Sequence, residues 1–192
     1  MAKIGFLLLC GGKSTRMGSP KALLEVNGKT LLDAIAGAGV DFVEKSRAAN
    51  DPSIPTPPGF VRCVDVYPGC GPMAGIHAAL CMTDCDALVT APCDAPHYSA
   101  ALARYLMESY DCAWDAQVLV DGGEKAQPLC GIYSKSSLPV LEAHLRTGRL
   151  KMMRMLEEMK LNRLSLPEGM TDAVFENLNT PQELKSFQER RA

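Results

Sequence analysis

The chain has 192 residues, 47% of them hydrophobic, and a formal net charge of -2, which fits one domain with a sizeable core. No Lys/Arg-dominated block offers the phosphate neutralisation of a dedicated nucleic-acid binder, so an anionic ligand must be held locally. No apolar stretch reaches membrane-spanning length, and Met1 to Cys10 runs into Gly-Gly too soon for a signal peptide. The expectation is a single cytoplasmic domain over residues 1–192, without nucleic-acid or membrane partners.

The first element is the apolar run Ile4–Leu9, a buried strand by its pattern, which feeds directly into CGGKSTRMGSPK. GGKST within it imitates a P-loop. A P-loop, however, needs a glycine five residues before Gly12, and that position is Leu7, inside the strand. Gly11 and Gly12 let the backbone come close to a ligand, while Arg16 and Lys21 add two cations on the same segment. That combination suits a triphosphate; the alternative is a surface turn with stray charges.

A helix is predicted over Leu31–Ala36, a strand at Phe42–Val43, and a surface loop at Arg47–Gly59, which holds four prolines. Strand Val61–Val66, helix Met73–Cys81 and strand Ala87–Thr90 follow. The last leads into APCDAPHYS, where Pro92 and Pro96 fix Asp94 in place. A carboxylate there suits Mg²⁺, which takes one or two carboxylates plus substrate phosphates; the alternative is an Asp capping the turn into helix Ala100–Tyr110. His97 reads as a turn residue. Strand Gln117–Val120, a loop at Asp121–Gln127, strand Cys130–Tyr133 and helix Leu138–His144 come next. Over Leu150–Met159, the methionines 152, 153, 155 and 159 fall at helical spacing with Leu150 and Leu156, which predicts core packing. Strand Val174–Leu178 precedes ENLNTPQEL and helix Pro181–Arg190, where Thr180 and Glu183 form a capping box with proline at the first helical position.

This alternation predicts an α/β fold with ligands beyond the carboxyl ends of the strands. Eight cysteines, at 10, 63, 70, 81, 85, 93, 112 and 130, show no metal-ligand grouping and read as reduced, small core residues. There is no GxSxG and no HExxH, and the three histidines, 77, 97 and 144, are widely spaced. Hydrolytic nucleophile machinery is therefore not evident. Transfer to a phosphate acceptor needs little of it, because a phosphomonoester is already largely ionised at neutral pH. Positioning and charge neutralisation then carry catalysis.

LCGGKSTRMGSPKALL resembles the LAGG-x3-RMG-x2-K signature of the nucleotidyltransferases that finish the molybdenum cofactor, the MobA guanylyltransferases. The match continues in order through YPGCGPMAGIHAAL, APCDAPHY, QPLCGIYS, GRLKMMRMLEEM and FENLNTPQEL. The resemblance implies a three-layer α/β/α, Rossmann-like domain with a mostly parallel sheet. It implies transfer of GMP from Mg-GTP to molybdenum-bound molybdopterin, with pyrophosphate as the second product. By position, Leu9, Gly11 and Gly12 would contact the nucleotide, Arg16 and Lys21 its phosphates, Asp65 the nucleoside end, and Asp94 the Mg²⁺. Asn177 and Asn179 would lie near the metal or pterin, and Gln127 and Pro128 on the acceptor side. Molybdoenzymes or other cofactor-biosynthesis proteins are further partners to consider. Gly11 occupies a motif position that is glycine in guanylyl-transferring members and alanine in cytidylyl-transferring ones.

Two departures stand out: Cys10 replaces the family's usual Ala, and Leu31–Phe60 is atypical, so no base contact is assigned within Ser46–Asn50. Competing readings are cytidylyl or other nucleotidyl transfer to a small phosphorylated acceptor, and a non-catalytic accessory protein that binds nucleotide or cofactor.

Overall fold

The computed structural model describes residues 2–11, 20–26 and 28–190. Strand β1 (Ile4–Leu9) lies between two parallel neighbours, β4 (Lys45–Ala48) and β6 (Ala87–Pro92). Helices cover both of its faces, which is why its sequence is continuously apolar rather than alternating. Outside β4 runs β5 (Val61–Cys63), also parallel. On the other side β8 (Ala126–Ser134) pairs antiparallel with β6, β7 (Ala116–Val120) antiparallel with β8, and β9 (Leu161–Leu164) parallel with β7. The sheet order is β5-β4-β1-β6-β8-β7-β9, with β8 the one reversed strand.

Two cores sandwich this sheet. Phe6, Leu8, Val89 and Ala91 pack on one face with Leu32 and Ile35 of α1 (Leu31–Ala36) and Leu102 and Leu106 of α3 (Ala100–Glu108). Leu7, Leu9 and Leu88 pack on the other with α2 (Pro72–Met82), α4 (Leu138–Arg146) and α5 (Met152–Glu157). Helix α2 comes close because Gly75 has no side chain: a Cβ there would sit 2.8 Å from that of Ala48. A third, small cluster joins Leu178 and Phe187 to Val26 and Leu31. It anchors α6 (Pro181–Glu189) on the hairpin of β2 (Glu25–Val26) and β3 (Lys29–Thr30), near the start of the chain. The capping box expected at Thr180 and Glu183 is formed.

Several sequence expectations are corrected. Phe42–Val43 is not a strand: Phe42 turns inward onto Phe6, with ring centroids 5.2 Å apart, and the strand is the more polar Lys45–Ala48. Val174–Leu178 is not a strand either, since Asp172–Phe175 forms a 3-10 turn. Strand β9 and the β2–β3 hairpin lie where no strand was expected. Leu150–Met159 is helical only over α5, with Met155, Leu156 and Met159 buried but Leu150 and Met153 exposed. Of the cysteines, 10, 63, 85, 93 and 130 are buried as expected; Cys70 is half-buried, and Cys81 and Cys112 are exposed.

Candidate active site

The carboxyl ends of β1 and β6 are neighbours, and both chains leave the sheet there as turns. Cys10 N–H still bonds Ala48 O at 2.9 Å, and Cys93 N–H bonds Leu9 O at 3.0 Å. Beyond those bonds come Gly11 and Asp94. The Asp94 turn is fastened from beneath by Tyr98, whose buried hydroxyl donates to Thr90 O at 3.1 Å. The aspartate thus stays half-buried at the mouth of the sheet with little freedom to move.

Lys21 begins a short 3-10 turn after Pro20, and the buried Ala22 beside it roots that turn. Its Nζ lies 3.5 Å from Asp94 Oδ2 and donates to Asn179 Oδ1 at 2.5 Å. Asn179 is brought there by backbone geometry: Leu178 N–H donates to Asp94 O at 2.9 Å, and Leu178 is fully buried in the α6 cluster. Glu183 accepts from the N–H groups of both Asn179 and Thr180. Three segments remote in sequence therefore meet at Lys21, Asp94 and Asn179. Lys21 and Asp94 border a cleft whose walls include Leu9, Gly11, Ile54, Pro72 and Leu129.

A second polar pair stands at the ends of β4 and beyond β5. Asn50 Nδ2 donates to Asp65 Oδ2 at 2.7 Å, while Asp65 Oδ1 is buried with no partner. Burial pushes the Asp65 carboxyl above its ordinary range, and the Asn50 hydrogen bond only partly offsets this. An orphaned carboxylate oxygen is an acceptor waiting for a donor.

Of the site residues expected from sequence, Lys21, Asp94 and Asn179 come together, and Leu9 and Gly11 line the same cleft. Asp65 belongs to the separate pair with Asn50. Asn177 is exposed on the Asn179 loop, its carbonyl 3.5 Å from Asn179 Nδ2. Gln127 Nε2 is turned to Asp121 Oδ2 at 3.1 Å, and Pro128 O accepts from Tyr133, so from that stretch it is Leu129 that reaches the cleft. Gly12 and Arg16 lie outside the described residues. His97 faces Glu176 at 3.3 Å and packs its ring on Phe187, in keeping with a structural turn residue. Asn50 was missed; placing the strand at Lys45–Ala48 instead of Phe42–Val43 would have put it just past a strand's carboxyl end. Among the described residues Asp94 is the carboxylate that meets Lys21, and no group of three or more His, Cys, Asp or Glu gathers there. That donor set fits a cation which keeps its waters and leans on substrate phosphates, as Mg²⁺ does, rather than a closed zinc cage.

Residues 6–163 match the family described as the MobA-like NTP transferase domain. A probable molybdenum cofactor guanylyltransferase of Pelotomaculum thermopropionicum is 33% identical over 93% of this chain and 88% of its own length. A protein of the same description from Carboxydothermus hydrogenoformans is also 33% identical, over 94% of this chain and 93% of its own. Among solved structures, molybdopterin-guanine dinucleotide biosynthesis protein A of Archaeoglobus fulgidus superposes with a TM-score of 0.82, at 25% identity over 97% of this chain and 98% of that one. A Thermus thermophilus 2-C-methyl-D-erythritol 4-phosphate cytidylyltransferase shares the fold with a TM-score of 0.66, at 17% identity over 96% and 97% of the two chains.

The strained state of Asp65 has a measurable consequence. A carboxyl whose pKa is raised by folding contributes stability below its ordinary value, and that contribution is lost as pH rises through the folded pKa. Asp65→Asn should therefore raise the melting temperature at pH 7, and the gain should shrink as pH falls toward 3.8, the carboxyl's ordinary value. Thermal melts of both proteins across that range check it; a variant less stable at pH 7 would show that the carboxylate is well satisfied.

Proposed function

The chain belongs to the MobA-like NTP transferase family and is a nucleotidyltransferase, and we propose that it transfers GMP from GTP to molybdenum-bound molybdopterin with release of pyrophosphate. The observation that carries this reading is the meeting of Lys21, Asp94 and Asn179 at the cleft mouth. A fixed ammonium beside a fixed carboxylate is what a triphosphate and its cation need.

In this reading the terminal phosphate of the pterin acts as nucleophile. One of its oxygens bonds the α-phosphorus of GTP, the bond from that phosphorus to the β-bridging oxygen breaks, and pyrophosphate leaves with the electron pair. No protein base is required, because the attacking phosphate is already ionised. Lys21 offsets negative charge at the reacting phosphates, and Asn179 holds the lysine ammonium in place. Asp94 would hold Mg²⁺, which when bound neutralises charge developing on the phosphates. Leu9 and Gly11 face the nucleotide, and Gly12 and Arg16 take their nucleotide and phosphate roles from motif position alone. At the far end, Asp65 Oδ1 accepts from a nucleoside donor and so gains the partner it lacks, with Asn50 steadying the other oxygen. Asn177 stands on the metal or pterin side. Residues 1–192 act as one catalytic domain in the cytoplasm, and a molybdoenzyme or another cofactor-biosynthesis protein takes the product. No helix among the described residues is long and apolar enough to cross a membrane.

Asp94→Asn should lower pyrophosphate release from Mg-GTP and molybdopterin at least ~10²-fold, the order expected on removing one electrostatic stabiliser. GTP binding should weaken much less, because the metal helps most where charge develops in the transition state. Activity within a few-fold of the unsubstituted protein would make Asp94 a turn-capping residue.

Guanine preference rests on Gly11. No described atom lies within 4 Å of a Cβ built there, so the described part of the protein does not demand glycine at this position, and a closely approaching ligand supplies a reason for it. Guanine carries an N1–H and a 2-amino group, and a residue without Cβ lets backbone acceptors approach both. A site built around those donors discriminates strongly against a base that lacks them. With GTP and CTP at equal concentration, the product mass should be that of the guanine dinucleotide, and Gly11→Ala should fold normally yet lower the GTP/CTP ratio. Predominant cytosine product from the unsubstituted chain would leave the transferase standing and overturn its nucleotide.

A further inference from the structure

We propose that Cys10 and Cys93 form a redox modification site, in which a hydroperoxide joins the two thiols as a disulfide across the floor of the transferase cleft and a dithiol releases it. The register carries the argument. β1 and β6 pair in parallel from Ile4 with Ala87 to Leu9 with Pro92, so the next pair along is Cys10 with Cys93. The bond from Cys93 N–H to Leu9 O, 3.0 Å, extends the ladder by that one step. Paired residues on adjacent strands point to the same face, and both cysteines belong to the same core cluster. Adjacent strands lie about 4.8 Å apart, inside the roughly 4.4–6.8 Å that Cα atoms span in a disulfide.

Access distinguishes this pair from the other buried cysteines. Cys10 and Cys93 are only 5% and 7% exposed, yet both line the cleft, so a small oxidant reaches them from the substrate side. Cys63, Cys85 and Cys130 do not border it. The position gives the bond its effect, since Cys10 precedes Gly11 and Cys93 precedes Asp94. A crosslink would bind the nucleotide turn to the carboxylate turn and change the spacing between them.

The chemistry balances with one peroxide. The Cys10 sulfur, as thiolate, attacks a peroxide oxygen; the O–O bond breaks, the departing hydroxide takes up the proton the thiol released and leaves as water, and Cys10 becomes a sulfenic acid. The second sulfur attacks the first, the S–O bond breaks, and a second water departs with the remaining thiol proton. Two thiols lose two electrons in all, and hydrogen peroxide becomes two waters. The loss of turnover rests on the transferase reading above; the crosslink does not.

The test uses the full chain carrying Cys81→Ser and Cys112→Ser, which removes the exposed thiols. After hydrogen peroxide, non-reducing peptide mass spectrometry should find the Cys10 and Cys93 peptides joined, with the loss of two hydrogens. Pyrophosphate release should fall at least ~10-fold, as a misplaced reacting group implies, and dithiothreitol should reverse both changes. With Cys10→Ala added, peroxide should leave activity at that variant's own untreated level. Sulfinic acid at either position without a joined peptide overturns the site, and a joined peptide with unaltered release overturns its control of the cleft. A reduced protein that releases no pyrophosphate but still forms the joined peptide supports the redox site and counts against the transferase reading instead.

Discussion

Lys21 and Asp94, half-buried and 3.5 Å apart at the mouth of the sheet, impose the constraint on which the rest of the site depends. Asp94 is rigid because its turn is pinned to β6 through Tyr98, and Lys21 is directed because Asn179 accepts from its ammonium at 2.5 Å. Asn179 in turn is placed by the bond between Leu178 N–H and Asp94 O and by the burial of Leu178 under α6. The C-terminal helix therefore contributes to the site without carrying a reacting group: its small apolar cluster and capping box aim a loop at a lysine near the other end of the chain.

Two buried polar groups are left incompletely satisfied, at a cost to stability. Asp65 keeps a buried oxygen without a partner. Arg47, on the neighbouring strand end, is buried with its Nε and Nη1 unpaired, and only Nη2 finds Thr56 Oγ1, at 3.1 Å. That bond holds the proline-rich segment from which Ile54 reaches the cleft. Both orphaned groups sit on the β4 and β5 side, and α2 can approach that side closely only because Gly75 has no side chain.

Much of this was legible in the sequence, and the failures have identifiable causes. β1 reads as a strand because helices cover both faces of a parallel strand, which leaves no polar position in it. β4 does not, because Lys45 and Ser46 are half-buried and its outer neighbour β5 is only three residues long. The apolar Phe42 signalled a strand when it was marking a turn whose ring packs on Phe6. Val174 and Leu178 looked like one alternating strand, yet they fall in different clusters with a turn between them. Lys21, Asp94 and Asn179 followed from motif positions, whereas Asn50 depended on locating β4 and was lost with it. That Asn50 meets Asp65, and that Cys10 stands beside Cys93, are facts of register that composition and spacing along one chain do not contain.

If Lys21 and Asp94 act as one unit on the transferring phosphate, removing either should already disable it. The direct measurement is kcat/KM for pyrophosphate release from Mg-GTP and molybdopterin in Lys21→Ala, Asp94→Asn and the double variant. Groups that work as a unit give strongly non-additive losses, so the double variant should fall within about 10-fold of the worse single one. Losses that multiply would mean the two residues serve separate steps, and the joint at the mouth of the sheet would then be a structural contact and not the reacting centre.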